Sequence, residues 1–340
     1  GEVLYKLGEF DQAAGHYGKA LRKAKDEKIR RDTAYAAVLS FDHLRQKSRQ
    51  PDEPPAHKQE LTPGEEGFVR AVDEFGRLAP DDPKLAQLRF EVAKVFYGRG
   101  HFDRASQHFL GVVQNHPADR FAEPAADLAL DCFTRSKDWE TLEKRARRFK
   151  QAGTFQATEL GRKLPGIISA AICRHGLQLA GAGEHKQAAQ ELERLVEEFP
   201  RDPLAPKALF RAAISLEQAG EKQKAVATYR RIIERYPDRA AEATFVIAGI
   251  YERQYAYEKA AAHYTRFARR HPRDKRAPDA LLQVALLHRA TRAYDREAEV
   301  LTRFTRDFKK HPEAPEALFR AGLALERADK HARAERIFAS

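Results

Sequence analysis

Histidine, cysteine and paired acids are the side chains of this sequence that could do chemistry, and their spacing decides whether they do. There are 13 histidines and two cysteines, Cys132 and Cys173. A zinc-protease helix needs two histidines one turn apart with a glutamate between them, and many structural zinc sites need Cys-x-x-Cys. Neither pattern occurs. His101 and His108 are seven residues apart and His263 and His271 eight apart, with no third ligand near them in sequence. His116, His271 and His311 each precede a proline, and Phe199 and Tyr236 hold the same place elsewhere, so the position reads as a seat for a flat ring. No Gly-rich phosphate loop, Gly-x-Ser-x-Gly turn or Ser–His pairing in a nucleophile setting is present. Acid pairs such as Glu197 and Glu198 fall on polar helix faces. The residues thus predict no catalytic residue, no metal and no cofactor. Cys132 and Cys173 read as buried thiols acting as small apolar groups. A disulfide between them would need Cα atoms within about 7 Å, which sequence does not give.

The elements that must position these side chains show themselves as a recurring block. A small residue is followed by Ala five residues on, by an aromatic or Leu four further, and by Pro eight further. The copies are Gly100, Ala105, Phe109, Pro117; Gly183, Ala188, Leu192, Pro200; Gly220, Ala225, Tyr229, Pro237; and, with Tyr replacing the Gly, Tyr255, Ala260, Tyr264, Pro272. Each block reads as the junction of two antiparallel helices. The small residue ends helix A, where a positive φ carries no Cβ clash. The Ala opens helix B where two helices approach closely. The aromatic fills the gap one turn later, and the Pro ends helix B. A second signature opens A helices: Ala205-Pro206-Lys207-Ala208-Leu209-Phe210, then Ala277-Pro278 and Ala314-Pro315 in similar runs. Proline fits a first helical turn, whose N–H has no intrahelical partner.

This order of residues at a period near 34 resembles the tetratricopeptide repeat. The resemblance implies an all-α fold, a right-handed superhelical α-solenoid of eight to nine hairpins. Residues 1–150 read as N-terminal units one to four, with an inserted loop at 47–64. Residues 151–340 read as units five to nine, cut within the last. The insertion carries Pro51, Pro54, Pro55 and Pro63 and reads as an exposed loop, either a tolerated insertion or a docking arm. In unit four, Trp139 is read in the aromatic place and Leu142 in the Ala place. Helix A of unit five starts early, before Pro165, with a kink there. Unit eight spans 40 residues between Pro272 and Pro312, which predicts a helix B longer by about a turn near Ala298–Arg306.

Composition fits a thin array with much surface: 42% hydrophobic and 33% charged residues, and no apolar run of about 18 residues that could span a membrane. The net charge is +11 and uneven, for residues 221–340 hold 26 Lys and Arg against 17 Asp and Glu. Local concentrations lie at Arg266, Arg269, Arg270, Arg273, Lys275 and Arg276, at Arg303, Arg306, Lys309 and Lys310, and at Arg22–Arg31. Two readings stay open: solvated faces, or attraction to an acidic partner, an anionic lipid or an envelope polymer. Nucleic acid is not expected, since aromatics fall at core spacing and are not interleaved with the basic runs.

In the repeat family that this chain resembles, helix A lines a concave groove. Carried over, the groove positions include Phe90, Cys173, Phe210, Phe245, Leu282 and Phe319, then Lys94, Tyr97, Glu217, Glu252 and Arg289. Phe and Leu stand where chaperone-binding members carry the Lys and Asn of a carboxylate clamp. The Phe side chains either form a ladder for an apolar peptide or tilt into the core. With Arg253 and the basic Arg269, Arg270, Arg273 and Arg276, they predict a protein or peptide partner with acidic residues flanking an apolar segment. Phe-Pro or Tyr-Pro, an Asp soon after, then Ala-Pro-x-Ala-Leu-Phe is similar to repeats of bacterial cell-envelope proteins: the Tol-Pal accessory protein, the outer-membrane assembly lipoprotein, and long myxobacterial repeat proteins. The implied role is a non-catalytic scaffold in the periplasm or at the periplasmic face of the outer membrane. The alternative is a cytoplasmic regulatory or adaptor domain of a larger protein.

Overall fold

The computed structural model describes residues 1–47, 53–55 and 57–339. Among them the regular structure is helical throughout, in eighteen helices. They are α1 (Glu2–Lys6), α2 (Phe10–Lys23), α3 (Glu27–Gln46), α4 (Pro63–Leu78), α5 (Leu85–Gly98), α6 (Phe102–Asn115), α7 (Ala122–Arg135), α8 (Trp139–Ala152) and α9 (Glu159–Gly181). They continue as α10 (His185–Glu198), α11 (Ala205–Gln218), α12 (Lys222–Arg235), α13 (Pro237–Glu252), α14 (Tyr257–Arg270), α15 (Ala277–Ala290), α16 (Tyr294–Asp307), α17 (Ala314–Arg327) and α18 (His331–Phe338). Odd and even helices pair as nine hairpins. Contacts divide the chain into two compact units, Gly1–Ala171 and Ile172–Ser340, a division that falls inside α9. Within each unit successive helices pack on one another, the layout of an α-solenoid.

The corner between the two helices of a hairpin has one backbone solution. Gly8, Gly100, Gly183 and Gly220 hold it with φ between 74° and 85°. Lys137, Tyr255, Arg292 and Asp329 adopt the same left-handed conformation at φ 55–57°. The Ala that follows is fully buried in Ala105, Ala188, Ala225 and Ala260, where helices touch without room for a longer side chain. The aromatic or Leu a turn later closes the layer: Phe109, Leu192 and Tyr229 are at most 1% exposed.

The connection between hairpins is also repeated. In four of them an Asp side chain accepts from the backbone N–H two residues on: Asp82 from Lys84 (2.8 Å), Asp119 from Phe121 (2.9 Å), Asp202 from Leu204 (2.7 Å) and Asp274 from Arg276 (3.0 Å). This Asx turn ties down the backbone just ahead of the next helix. In the last such connection His311 takes the Asp place and accepts from Glu313 N–H (3.3 Å).

That alignment corrects the reading of unit eight. Phe308 caps the C-terminus of α16 as His271 caps α14, and both helices have 14 residues. Helix B gains no turn; Pro312 lies four residues past the cap instead of one, inside the connection. His311 is accordingly a turn residue, while His116, Phe199, Tyr236 and His271 do occupy the ring seat at helix C-caps. Unit four needs a second correction. Trp139 opens α8 as Phe102 opens α6, so it is not in the mid-helix aromatic place. Leu142 (3% exposed) sits in the Ala place and Ala146 (0%) in the aromatic place, a large–small exchange that conserves volume across the pair.

The fifth hairpin starts early, as its composition implies. Helix α9 runs from Glu159 with Pro165 inside it. Its entry is built on a turn in which Thr158 Oγ1 donates to Phe155 O, and a Cβ on Gly161 would lie 1.9 Å from that same carbonyl oxygen. Glu123 of α7 accepts from Leu160 N–H (2.9 Å) and so caps the new helix from the preceding hairpin.

Of the insertion, residues 48–52 and 56 lie outside the described residues. Its C-terminal part is fastened to the corner between α5 and α6. Gln59 N–H donates to Arg99 O (2.9 Å), His101 Nε2 meets Gln59 O (2.8 Å) and Lys58 pairs with Asp103 (3.3 Å). Arg99 Nε reaches both carboxylate oxygens of the fully buried Glu65 at 3.0 Å, and Glu65 with Thr62 forms the capping box that opens α4. Gly100 is required here, because a Cβ would come within 3.0 Å of His57 O.

Candidate functional site

The A-helix residues singled out from the sequence fall into two groups. Most are engaged within the fold. Phe90 is 8% exposed and packs on Phe109 and Phe121, with ring centroids 5.5 and 5.1 Å away. Phe210 meets Tyr229 edge-on at 5.3 Å, and Phe245 meets both Tyr264 and Phe267 at 5.2 Å. Cys173 and Leu282 are buried. The aromatic positions therefore point mainly between helices, and only Phe319 is open, 53% exposed beside Phe338.

The polar members form ladders from one hairpin to the next. Lys94 pairs with Glu91 at 3.1 Å, and Glu91 also holds Arg45 of α3 at 3.1 Å. The Tyr97 hydroxyl bonds to Asp131 and accepts from Arg135 (2.9 Å); burial, then the Asp131 contact, push its pKa up to about 12, so it stays a phenol. Glu217 accepts from Arg253 of the next hairpin at 2.8 Å. Glu252 accepts from Tyr264 (2.9 Å) and from Gln283. The Arg45–Glu91, Tyr97–Asp131, Tyr97–Arg135, Glu217–Arg253 and Glu252–Gln283 bonds join neighbouring hairpins, whereas Lys94–Glu91 lies within α5 and Glu252–Tyr264 within one hairpin.

Arg289 is committed to the interior of its own hairpin. Its guanidinium reaches Glu297 at 2.6 Å, and Glu297 is 0% exposed. Glu297 stands three residues after the first residue of α16, in the place filled by Ala188, Ala225 or Ala260 in other hairpins. Sequence reading passed over it because Ala298 lies next door. Aligning helix starts, Tyr294 with Tyr257 and His185, was the signal that would have exposed the substitution.

The basic residues divide as well. Arg276 is bound to its turn: it pairs with Asp274 at 2.7 Å and lies 5.2 Å over the rings of Phe245 and Phe267. The Arg276 hydrogen bond, ahead of the opposing cost of burial, holds the Asp274 carboxyl down at about 2. Arg269, Arg270 and Arg273 are exposed, and among the described residues none of them forms an ion pair. Tyr255 is 79% exposed at its left-handed corner.

Clefts accompany these surfaces. One of about 550 Å³ lies beside the strapped insertion, between Leu61, Arg70 and Arg104. A smaller one of about 260 Å³ has apolar walls from Leu110, Val113, Phe149 and Phe155. A third of about 410 Å³ lies between α14, α15 and α16 and is lined by arginine. Among the described residues no three His, Cys, Asp or Glu side chains gather at metal-binding range. Cys132 and Cys173 are free thiols, and burial pushes Cys132 up to about 12, away from the reactive thiolate. No helix of the described residues is long and apolar enough to cross a membrane.

Repeated helical hairpins carrying inter-repeat polar ladders define a helical-repeat interaction protein. Residues 173–240, 225–275 and 298–340 match the tetratricopeptide repeat family model, so these segments carry tetratricopeptide repeats. Among solved structures, MamA of Desulfovibrio magneticus RS-1 is 17% identical with a TM-score of 0.34, covering 50% of this chain and 91% of that one. PilW, a type IV pilus biogenesis factor, is 14% identical with a TM-score of 0.34, covering 70% and 100%. PilF of Pseudomonas aeruginosa is 13% identical with a TM-score of 0.31, covering 68% and 95%. No curated protein matches the sequence.

Proposed function

We propose that this protein is a non-catalytic scaffold of a bacterial cell-envelope complex that captures an acidic protein segment. Tetratricopeptide repeats supply a rigid surface for a protein partner; the partner's chemistry and the compartment are the proposed part. The observation that carries the reading is the exposed arginine set Arg269, Arg270 and Arg273, clustered within five residues and without ion pairs among the described residues, on a unit where Arg253, Arg276, Arg289 and Arg303 are tied to carboxylates. Long-range attraction to such a face speeds encounter and is weakened by salt. The repeat signature of Tyr236-Pro237-Asp238 and Ala314-Pro315-Glu316-Ala317-Leu318-Phe319, similar to envelope repeats, supports the periplasm or the periplasmic face of the outer membrane as the compartment.

A pull-down from envelope extract with wild type and Arg269→Glu/Arg270→Glu/Arg273→Glu tests this. Arg276 is left intact because it holds the turn before α15. Wild type should recover a defined set of proteins at low salt, and the variant should lose them. Equal recovery by both at low and high salt would reduce the basic face to a solvated surface. Protease protection in intact cells, relieved by permeabilising the outer membrane, should place the protein in the periplasm; protection that persists would favour the cytoplasmic adaptor reading.

A further inference from the structure

We propose that the cleft between α14, α15 and α16 is a docking slot for an acidic peptide segment, whose carboxylates meet Arg266, Arg269 and Arg296 and whose basic or amide end meets Glu258. This rests on the scaffold reading and specifies where the acidic partner seats. The slot encloses about 410 Å³ and is lined mainly by the second helices α14 and α16, with one residue, His288, from the A helix α15. Its long wall is one face of α14. Glu258, Ala262, Thr265 and Arg269 recur at the three- and four-residue spacing that aligns side chains along a helix. Eleven residues of helix measure about 16 Å, the length of about five residues of extended peptide. His288 of α15 contributes the opposite wall, and burial, then Arg296, lower its pKa, so the imidazole is a neutral surface at neutral pH.

Two observations bear on the charge of this slot. Several arginines elsewhere in the unit close local pairs, as Arg253 does with Glu217, Arg289 with Glu297 and Arg303 with Asp307. Among the described residues Arg266, Arg269 and Arg296 form none. Helix stability also does not explain Arg296. Cations at a helix C-terminus, such as Arg269 and Arg270 of α14, complement the helix dipole, but Arg296 lies in the first turn of α16, where a cation opposes it. The polarity of the slot selects the occupant. An anionic bilayer or a polyanion would set negative charge against Glu258 along with the arginines, whereas a peptide can place opposite charges at its two ends.

The probe is a fluorescein-labelled peptide with an N-terminal lysine, two glycines and four glutamates, set against the same peptide with glutamine for glutamate, in fluorescence anisotropy at low salt. The wild type should bind the glutamate peptide at least about tenfold tighter than the glutamine one. Arg269→Glu/Arg296→Glu should lose about tenfold or more of that binding. Lys309→Glu/Lys310→Glu, which changes net charge equally outside the slot, should lose less than about threefold. Both variant pairs replace exposed side chains, and circular dichroism verifies the fold. Arg269→Lys/Arg296→Lys should keep most of the binding. Equal losses in the two charge-reversed variants would overturn the slot in favour of diffuse attraction. So would binding of phosphatidylglycerol vesicles that the glutamate peptide fails to displace. If neither peptide binds while the pull-down still recovers partners, the slot falls and the scaffold reading stands.

Discussion

At the scale of single residues, this protein places ionisable side chains inside the array and uses them as joints. His263 shows what that costs. Its ring stacks on Tyr251 with centroids 5.4 Å apart, its Nδ1 is buried without a partner, and Arg230 and Arg266 are near enough to disfavour a further positive charge. Burial first, then Arg266 and Arg230, bring its pKa down to about 4. The unfolded chain, with an ordinary histidine near 6.5, therefore takes up this proton more readily than the folded one. The stability His263 confers is complete above about pH 6.5 and is lost as pH falls toward about 4. Chemical denaturation of wild type and His263→Phe between pH 7 and 4 should show the variant losing less stability over that range. Parallel pH curves would mean that the ring is protonated in the fold.

At the scale of elements, the connections between hairpins are held by short polar side chains reaching back to backbone. Asp119 accepts from Phe121 N–H at 2.9 Å, and its own N–H and C=O close the same turn with His116 and Ala122. Asp119→Ala should lower stability by about 0.5–1.5 kcal/mol, the net worth of one such bond. His311→Ala should cost less, because its contact to Glu313 N–H is longer, at 3.3 Å. Thermal or urea unfolding measures both, and a larger loss at His311 would show that the two connections are not equivalent. The same element explains why proline spacing misleads in unit eight. Proline is tolerated at more than one place in the connection, after the cap as at Pro272 or just before the next helix as at Pro312, so distances between prolines do not measure helix length.

At the scale of the whole molecule, stability in an array of this kind is a sum of repeat and nearest-neighbour terms. The last hairpin adds only the 14 residues of α17 and the eight of α18 to the helical content. A chain ending at Glu313 should lose far-ultraviolet helical signal in proportion to those residues and melt at a lower temperature, because Leu301 and Phe304 of α16 lose the cover of Ala317 and Ala321. Disappearance of the entire helical signal would show that the array folds only as one indivisible body. Appearance of strand signal would contradict the all-α fold.

The sequence by itself determined the helical hairpins and their joints. Its information there is local: a positive-φ corner, an Ala where backbones meet, a ring a turn later and a proline beyond the cap are short-range constraints that residue type expresses directly. It also located the long A helix of the fifth hairpin, through the composition of Phe155–Leu164. What only the tertiary structure decided is how each candidate side chain is spent. Phe90, Phe210 and Phe245 carry the same residue type as Phe319, yet rings on neighbouring helices cover the first three far more than the last. Arg276 and Arg269 are alike in a sequence run, yet one is clamped by Asp274 and the other is open to a cleft. Arg289 and Glu297, eight residues apart, become a buried pair only because the hairpin folds back on itself. Exposure and pairing depend on which helix lies opposite, and that is fixed by packing across elements rather than by the spacing of residues along one of them.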